Sequence, residues 1–216
     1  MSIATFILGD SGTGKSASLR NLNPEKTLLI QIKPKPLPFK AAGWKKHSKE
    51  SPGNIVVGST SDLIVAYLQK TQRDIIIIDD FQYLMAGEFF DRAYEKGYEK
   101  FTEIARHCYD VLQVATTLPD QKRVYMLCHT DTDMNGRIKA KTIGKMLDEK
   151  LTVEGLVTIV LRTAVINGQY LFTTKNSGND TTKSPMGMFD DEQIGNDLQV
   201  VDQAICTYYD LTTIGA

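Results

Sequence analysis

The sequence predicts an α/β fold, in which a mostly parallel central sheet is flanked by helices and carries an antiparallel hairpin towards the C-terminus. Short apolar runs alternate along the chain with stretches of helical pattern, which is the order that parallel sheets require. The runs are apolar at successive positions, as expected for strands buried on both faces. With 216 residues, 42% of them hydrophobic, the chain can bury one sizeable core, so we predict a single domain over residues 1–216.

Five apolar runs are predicted to form the parallel strands. They are Ile3–Leu8, Thr27–Ile32, Ile55–Val57, Asp74–Ile78 and Val124–Cys128. A helix is expected from Ser61, its predicted N-cap, to Lys70. The region from Leu84 to Ala115 is rich in helix formers and is predicted to form one or two helices, with Gly87 or Gly97 as the break.

The C-terminal part of the sequence predicts a hairpin and a last helix. Thr158–Ile166 and Gln169–Thr174 flank Asn167-Gly168, a strong hairpin signal because both turn positions require a positive φ. Asn196 would cap a helix over Asp197–Tyr209.

A glycine-rich motif lies between the first predicted strand and a helix-forming stretch. Its residues, from Gly9 to Ser16, have the spacing G-x-x-x-x-G-K-S of a P-loop. Glycines let backbone N–H groups turn towards phosphate oxygens, and a helix N-terminus adds positive potential. Lys15 would reach the β- and γ-phosphates, and the Ser16 hydroxyl would hold Mg²⁺. The predicted nucleotide-binding residues are Gly9, Asp10, Ser11, Gly12, Thr13, Gly14, Lys15, Ser16 and Ala17.

Four isoleucines followed by two aspartates, residues 75–80, have the pattern of a Walker B strand. Such a buried strand would deliver a carboxylate beside the phosphate site. Asp79 would hold Mg²⁺ through water or through Ser16, and Asp80 could orient the attacking water. A central strand that merely meets a capping aspartate gives the same pattern, but the P-loop in the same chain favours the metal site.

His129 follows the predicted strand Val124–Cys128. Ligands of open α/β sheets bind at the carboxyl ends of the strands, so His129 could sense the γ-phosphate. A loop histidine without a role is the alternative.

Two basic stretches suggest a surface for single-stranded nucleic acid. Residues 33–49 contain six lysines and no acid, with Phe39 and Trp44 between them. The second stretch lies in a glycine-containing segment predicted to be a loop, and its cations are Arg137, Lys139, Lys141 and Lys145. Cations interleaved with aromatic rings suit phosphate neutralisation and base stacking. Charge runs are also typical of solvated faces, so either stretch alone is weak evidence.

Composition limits the remaining function classes. A net charge of −1 excludes a globally basic nucleic-acid binder but permits a local basic surface. Cys108, Cys128 and Cys206 have no metal-ligand spacing and are predicted to be reduced thiols in the core. The N-terminus runs directly into the first strand, and no apolar run approaches the ~20 residues of a transmembrane helix. We therefore expect a cytoplasmic protein without a membrane partner.

The order of these features resembles the RecA-type ATPase core: a P-loop, an Asp-Asp strand, a polar strand tip, then a basic loop and a hairpin that ends in lysine. More closely, the chain resembles the phage-encoded RecA-like single-strand annealing ATPases, the short Sak-type recombinase group. The segments that carry this resemblance span nearly the whole chain and are GDSGTGKSASLRNL, KPLPFKAAGWKK, IIIIDDFQYLM, GYEKFTEIA, KTIGKMLDEKLTVEG and TTKNSGNDTTKSPMGMF.

The resemblance implies an ATPase with Mg²⁺ and slow, DNA-stimulated turnover, which binds single-stranded DNA and acts in annealing or homologous recombination. The loop Asp131–Lys150 would contact the DNA through its four cations, Arg137, Lys139, Lys141 and Lys145. Lys175, with Lys183 as the alternative, would reach the ATP of the adjacent protomer in a ring or filament. A single-strand-binding protein would be a partner, and a phage-encoded protein would work in the host cytoplasm.

One departure from the family pattern concerns the catalytic base. RecA itself has a glutamate just after its second core strand, where this chain has Gln31-Ile32-Lys33. Either Asp80 positions the water or hydrolysis is slow. The accessory domains that RecA carries at its two ends have no counterpart in this sequence.

Other functions share the P-loop. A non-catalytic, nucleotide-gated module, such as a helicase or replisome loader, is the alternative from a different class. A small-molecule kinase is disfavoured because its arginine-rich lid is absent, with no arginine between Arg137 and Arg162. No Asn-Lys-x-Asp motif for guanine occurs, so ATP is the expected nucleotide.

Overall fold

The computed structural model contains an eight-stranded sheet with helices on both faces, and it describes residues 1–211 without the side chains of residues 148 and 149. The strands of this sheet are β1 (Ile3–Leu8), β2 (Thr27–Gln31), β3 (Ile55–Val57), β4 (Ile75–Asp79), β5 (Arg123–Cys128), β8 (Ile159–Ile166), β9 (Gln169–Thr173) and β10 (Gln193–Gly195). A separate hairpin consists of β6 (Thr130–Thr132) and β7 (Ile138–Ala140). The α-helices of the described chain are α1 (Ser61–Lys70), α2 (Gln82–Asp91), α3 (Glu99–Thr117) and α4 (Leu198–Tyr208).

The strand order is β3-β2-β4-β5-β1-β8-β9-β10, and neighbours from β3 to β8 in this order run parallel. Strand β9 is antiparallel to both β8 and β10. This arrangement confirms the predicted fold class, an α/β fold with a mostly parallel central sheet and an antiparallel hairpin. Because β5 lies between β1 and β4, the carboxyl ends of these three strands meet at one edge of the sheet.

The predicted hairpin is present, with Asn167 and Gly168 both at positive φ in its turn. Its first strand plays a second role that the sequence analysis did not anticipate. Strand β8 pairs in parallel with β1, opposite Thr5 to Leu8, and so becomes a sixth parallel strand. The reason is its apolar start, Ile159–Leu161, which is buried between two layers.

Alternate side chains of the central strands enter two hydrophobic cores. On β4, Ile76 and Ile78 belong to the core that includes residues of α1, α2 and α3. Ile75 and Ile77 belong to the other core, with residues of α4 and of the short helix after the P-loop. Burial on both faces, as the strand patterns predicted, makes the sheet a rigid support for the loops at its edge.

Two helix caps differ from the predicted ones by one residue. Thr60, not Ser61, is the N-cap of α1, because Thr60 is extended and its side chain accepts a hydrogen bond from the N–H of Leu63. Asp197, not Asn196, caps α4 by accepting from the N–H of Gln199.

The long helical region is two helices. Its break contains Gly97, which has a φ of +97°, whereas Gly87 lies inside α2. The stretch after Lys15 also differs from a full helix, since Ser16–Asn21 form a six-residue 3₁₀ helix. A short 3₁₀ helix, Val153–Leu156, and one π-helical turn, Met146–Lys150, precede β8.

The three cysteines are buried and free of disulfides, as predicted. Across residues 1–211, none of the helices has both the length and the apolar character of a bilayer-crossing segment.

Candidate nucleotide-binding site

The glycine-rich loop leaves β1 at the carboxyl edge of the sheet and packs tightly against β8. A Cβ atom on Gly9 would lie 1.8 Å from Thr163 Oγ1, so a larger residue would displace the loop. The hydroxyls of Thr13 and Thr163 are 2.6 Å apart and share a hydrogen bond. Gly14 has a φ of +98°, and a Cβ there would lie 3.0 Å from the Tyr170 ring. These contacts fix the loop in an open curve that suits a phosphate group.

Lys15 lies inside this curve. Its Nζ donates hydrogen bonds to the carbonyl oxygens of Gly9 (2.6 Å) and Asp10 (2.8 Å), and the residue is 6% exposed. Burial lowers the pKa of Lys15. The loop therefore holds a cation at the wall of the cavity above it.

Ser16 and Asp79 form a pair that fits a divalent cation. Ser16 Oγ donates to Asp79 Oδ1 at 2.9 Å, which joins the P-loop to the end of β4. Asp79 is 2% exposed, and its Oδ2 is a buried oxygen without a hydrogen-bond partner in the described chain. Burial and the neighbouring charge of Asp80 raise the pKa of Asp79. A hydroxyl and an unsatisfied carboxylate oxygen side by side are oxygen ligands of the kind that Mg²⁺ prefers.

Asp80 and His129 meet at the ends of β4 and β5. Asp80 has a φ of +64°, a left-handed conformation that is costly for a residue with a side chain. Its carboxylate lies 3.7 Å from His129 Nε2 and 2.5 Å from Lys35 Nζ. Burial and the charge of Lys15 lower the pKa of His129, which favours the neutral form of its imidazole.

A cavity of about 460 Å³ lies over these residues, within the range of ligand sites. The predicted residues on its wall are Ser11, Gly12, Gly14, Lys15, Ser16, Ala17, Asp80 and His129. The other predicted residues do not line the cavity but contact residues that do, or hold the loop in place. They are Gly9, Asp10, Thr13 and Asp79, whose contacts are given above, and Asp10 also accepts a hydrogen bond from the Thr130 hydroxyl. The structure thus brings the predicted P-loop, Walker B and strand-tip residues together.

Sequence reasoning missed other residues of the same wall, which are Lys35, Pro36, Pro38 and Tyr170. Lys35 belongs to the stretch that the sequence analysis assigned to nucleic acid, and its neighbouring prolines were the signal for an ordered segment. No sequence signal could have placed Tyr170, because the pairing of β9 with β8 decides where it lies.

One of the two aromatic rings of the first basic stretch is buried. Trp44 is 8% exposed and is part of a hydrophobic core, with its ring edge-on to Phe39. The tryptophan ring is therefore unavailable for stacking on bases, and that part of the interpretation is wrong.

The second basic stretch is partly a hairpin rather than a loop. Strands β6 and β7 pair with Asp131 opposite Lys139, and Asp133 Oδ1 accepts from the N–H of Arg137. Two acids that precede the stretch in sequence thus lie among its cations. Lys141 follows β7 and donates its N–H to the carbonyl of His129 at 2.8 Å, and Lys145 precedes the π-helical turn.

Lys175 is not among the residues that line the cavity of its own chain. It follows β9, five residues beyond Tyr170. Its Nζ donates to the carbonyl of Asp190 at 2.9 Å. Lys183 pairs through its backbone with Val160 on β8.

No protein-family model matches the sequence, and no curated protein matches it. Among solved structures, the chain is similar to the Legionella pneumophila ATPase DotB, with 12% sequence identity and a TM-score of 0.39. The match covers 82% of this chain and 46% of DotB, so the chain spans less than half the length of that protein. A similarity at this level carries no functional conclusion, and the assignment of the site depends on its own geometry.

Proposed function

We propose that this protein binds and hydrolyses ATP with Mg²⁺ in the cavity over the glycine-rich loop, and that the ATP state controls its binding to single-stranded DNA. One observation carries the nucleotide part. The strand ends bring a loop lysine, a hydroxyl, two adjacent carboxyl groups and an imidazole together at one cavity. These residues are Lys15, Ser16, Asp79, Asp80 and His129.

Hydrolysis at such a site depends on positioning and charge stabilisation. Ser16 and Asp79 would hold Mg²⁺, which when bound neutralises charge on the phosphate oxygens. Lys15 would exchange its bonds to the loop carbonyls for bonds to phosphate. Asp80 would accept a hydrogen bond from the attacking water and orient it, and His129 would donate to the γ-phosphate.

The DNA part is supported by the position of the second basic stretch. Strand β6 begins directly after His129 and leads into this stretch, and the hydrogen bond from the Lys141 N–H to the His129 carbonyl ties the stretch to His129. A shift of His129 towards the γ-phosphate would therefore move the cations that follow it. In this proposal the protein is a phage annealing or recombination ATPase that works as a ring or filament, beside a single-strand-binding protein.

A second candidate function is a nucleotide-gated loader that hydrolyses ATP slowly or not at all. The ion pair between Lys35 and Asp80 favours it, because this pair occupies the carboxylate that would position water. The ATPase rate with and without single-stranded DNA separates the two candidates. Strong stimulation by DNA supports the annealing ATPase, and DNA-independent ATP binding without turnover supports the loader.

Lys15 provides the first test of the site. We expect Lys15→Ala to lower ATP turnover by at least about 100-fold, since removing one donor that stabilises transition-state charge costs about 100- to 1000-fold. Circular dichroism would check that the variant is folded, and Lys49→Ala, an exposed lysine outside the cavity, is the matched control. Normal turnover in Lys15→Ala would show that the phosphate site lies elsewhere.

A further inference from the structure

Lys35 is a second lysine of the nucleotide cavity, although it lies outside both the glycine-rich loop and the strand that ends in Asp79. Its Nζ lies 2.5 Å from Asp80 Oδ2 and 3.9 Å from Asp79 Oδ2, and its side chain lines the cavity together with Lys15 and Ser16. The side chain is 42% exposed, so its ammonium can move while its backbone stays in place.

The backbone that carries Lys35 is held firmly. Lys35 lies between Pro34 and Pro36, and proline fixes its own φ and keeps the preceding residue extended. Gln31, the last residue of β2, is 1% exposed and donates from Nε2 to the Lys35 carbonyl at 2.9 Å. Because β2 pairs in parallel with β4, with Gln31 opposite Asp79, this bond delivers Lys35 to the two aspartates.

Two lysines and two aspartates lie close together at this cavity. Lys15 and Lys35 face Asp79 and Asp80, and all four side chains lie within one small region. Burial alone would lower the pKa of Lys35, but its hydrogen bond to Asp80 and the charges of both aspartates raise it. Lys35 therefore carries a full positive charge. ATP brings additional negative charge to this region, its terminal γ-phosphate carries more of it than either inner phosphate, and a mobile cation beside Asp80 is suited to meet that charge.

We propose that Lys35 is a γ-phosphate ligand supplied by the same chain, and that ATP draws it away from Asp80. In the nucleotide-free protein the ion pair occupies the Asp80 carboxylate. When ATP binds, the ammonium moves to the γ-phosphate, and the carboxylate becomes available to orient water. ADP has no γ-phosphate and leaves the ion pair intact. The inference depends on the proposed nucleotide site and adds to it a residue that distinguishes ATP from ADP.

The test compares the affinities of two nucleotides without DNA. Calorimetry would measure the binding of a non-hydrolysable ATP analogue and of ADP, each with Mg²⁺, to the wild type and to Lys35→Ala. We expect Lys35→Ala to weaken the ATP analogue by about 10-fold or more, the size of one charge-assisted hydrogen bond, and ADP by less than about 2-fold. Lys40→Ala, an exposed lysine of the same basic stretch, is the matched control and should leave both affinities unchanged.

A selective loss could also arise indirectly, because Lys35→Ala leaves Asp80 unneutralised and able to repel the γ-phosphate. The variant Asp80→Asn removes that repulsion. If Lys35 contacts the γ-phosphate, the selective loss persists when Lys35→Ala is added to Asp80→Asn. If the effect is only repulsion, Asp80→Asn abolishes it and the proposal is wrong.

Other outcomes also overturn the proposal. Equal loss of both nucleotides, or no loss of either, would show that Lys35 makes no contact specific to the γ-phosphate. If Lys15→Ala weakens the binding of both the ATP analogue and ADP in the same assay, the nucleotide binds at the proposed site. Failure of the Lys35 inference is therefore distinguishable from failure of the proposed function.

Discussion

At the scale of single residues, Asp79 is a buried carboxyl group that we propose holds Mg²⁺, and its ionised form disfavours the folded state. Burial raises its pKa in the folded protein, so the folded state holds this proton more tightly than the unfolded chain. The stability contributed by this group is thus fully present below the unfolded pKa of about 3.9 and is lost as pH rises through the folded pKa. At neutral pH the carboxylate destabilises the protein when no metal is bound.

Replacing this charge separates stability from metal binding. We expect Asp79→Asn to raise the free energy of unfolding of the nucleotide-free protein by up to about 1 kcal/mol, or roughly 2–4 °C in Tm, because the amide keeps an oxygen acceptor for Ser16. The same variant should bind Mg²⁺–ATP more weakly. Thermal denaturation at pH 7 and nucleotide binding measure the two effects.

The neighbouring aspartate is the contrast for this prediction. Asp80→Asn should retain ATP binding and lose mainly turnover, since positioning water matters chiefly in the transition state. A lower Tm in Asp79→Asn than in the wild type would contradict the predicted gain in stability. Equal loss of nucleotide binding in both variants would contradict the division between metal support by Asp79 and water positioning by Asp80.

At the scale of elements, the hairpin β6–β7 places an acid opposite one of the cations that we propose bind DNA, because Asp131 pairs with Lys139. Each phosphate contact removed should lower the slope of log affinity against log salt by about 0.7 for single strands. Substituting Arg137, Lys139, Lys141 and Lys145 by alanine would then remove about 2.8. Because Asp131 lies opposite Lys139, we expect a reduction of about 2, with binding weakened alike on every sequence and ATP binding retained.

The other basic stretch supplies a control with the same change in charge. The variant with Lys40, Lys45, Lys46 and Lys49 replaced by alanine should keep the wild-type salt dependence of DNA binding. If the salt dependence of DNA binding is reduced in this control and unchanged in the hairpin variant, single-stranded DNA binds at the first stretch and the hairpin is a solvated face.

Elements differ in how far the sequence determines them. The strands β1 and β3 begin and end at the predicted residues, because an apolar run bounded by polar or glycine residues defines a buried strand locally. The observed N-caps, Thr60 and Asp197, each differ by one residue from the predicted ones, because either residue of the adjacent Thr-Ser and Asn-Asp pairs can cap a helix. The choice depends on which residue is extended in the folded chain.

At the scale of the whole molecule, the position of Lys175 bears on assembly. Within one chain its ammonium is bound to the Asp190 carbonyl, and Lys175 is not among the residues that line the cavity. If it acts on a neighbour's ATP, Lys175→Ala should keep ATP binding and lose turnover and nucleotide-dependent assembly. Mixing it with Lys15→Ala protein should restore part of the ATPase rate, because one type of interface then has both lysines.

The control for this mixture is the double variant with both lysines replaced. It has both lesions at every interface and should stay inactive at any concentration. Absence of restored activity in a mixture shown to co-assemble would mean that Lys175 is not part of a shared site.

The sequence by itself determined the class of fold and the chemistry-bearing residues next to the strands. The P-loop, the aspartates after β4 and the histidine after β5 are each fixed by a short local pattern, because the ends of buried parallel strands lie at one edge of a sheet. Lys15, Ser16, Asp79, Asp80 and His129 could therefore be assigned to one site before their distances were known.

Only the tertiary structure decided which other groups share that site and which do not. Lys35 reaches Asp80 because β2 pairs with β4 and Gln31 holds the segment that follows. Tyr170 reaches Gly14 because β9 pairs with β8, which in turn pairs with β1. Trp44 is buried in the core that also contains Leu29 and Ile55 of strands β2 and β3. Strand pairing joins residues that are distant in sequence, so the sequence pattern of one segment does not predict which other segments it pairs with.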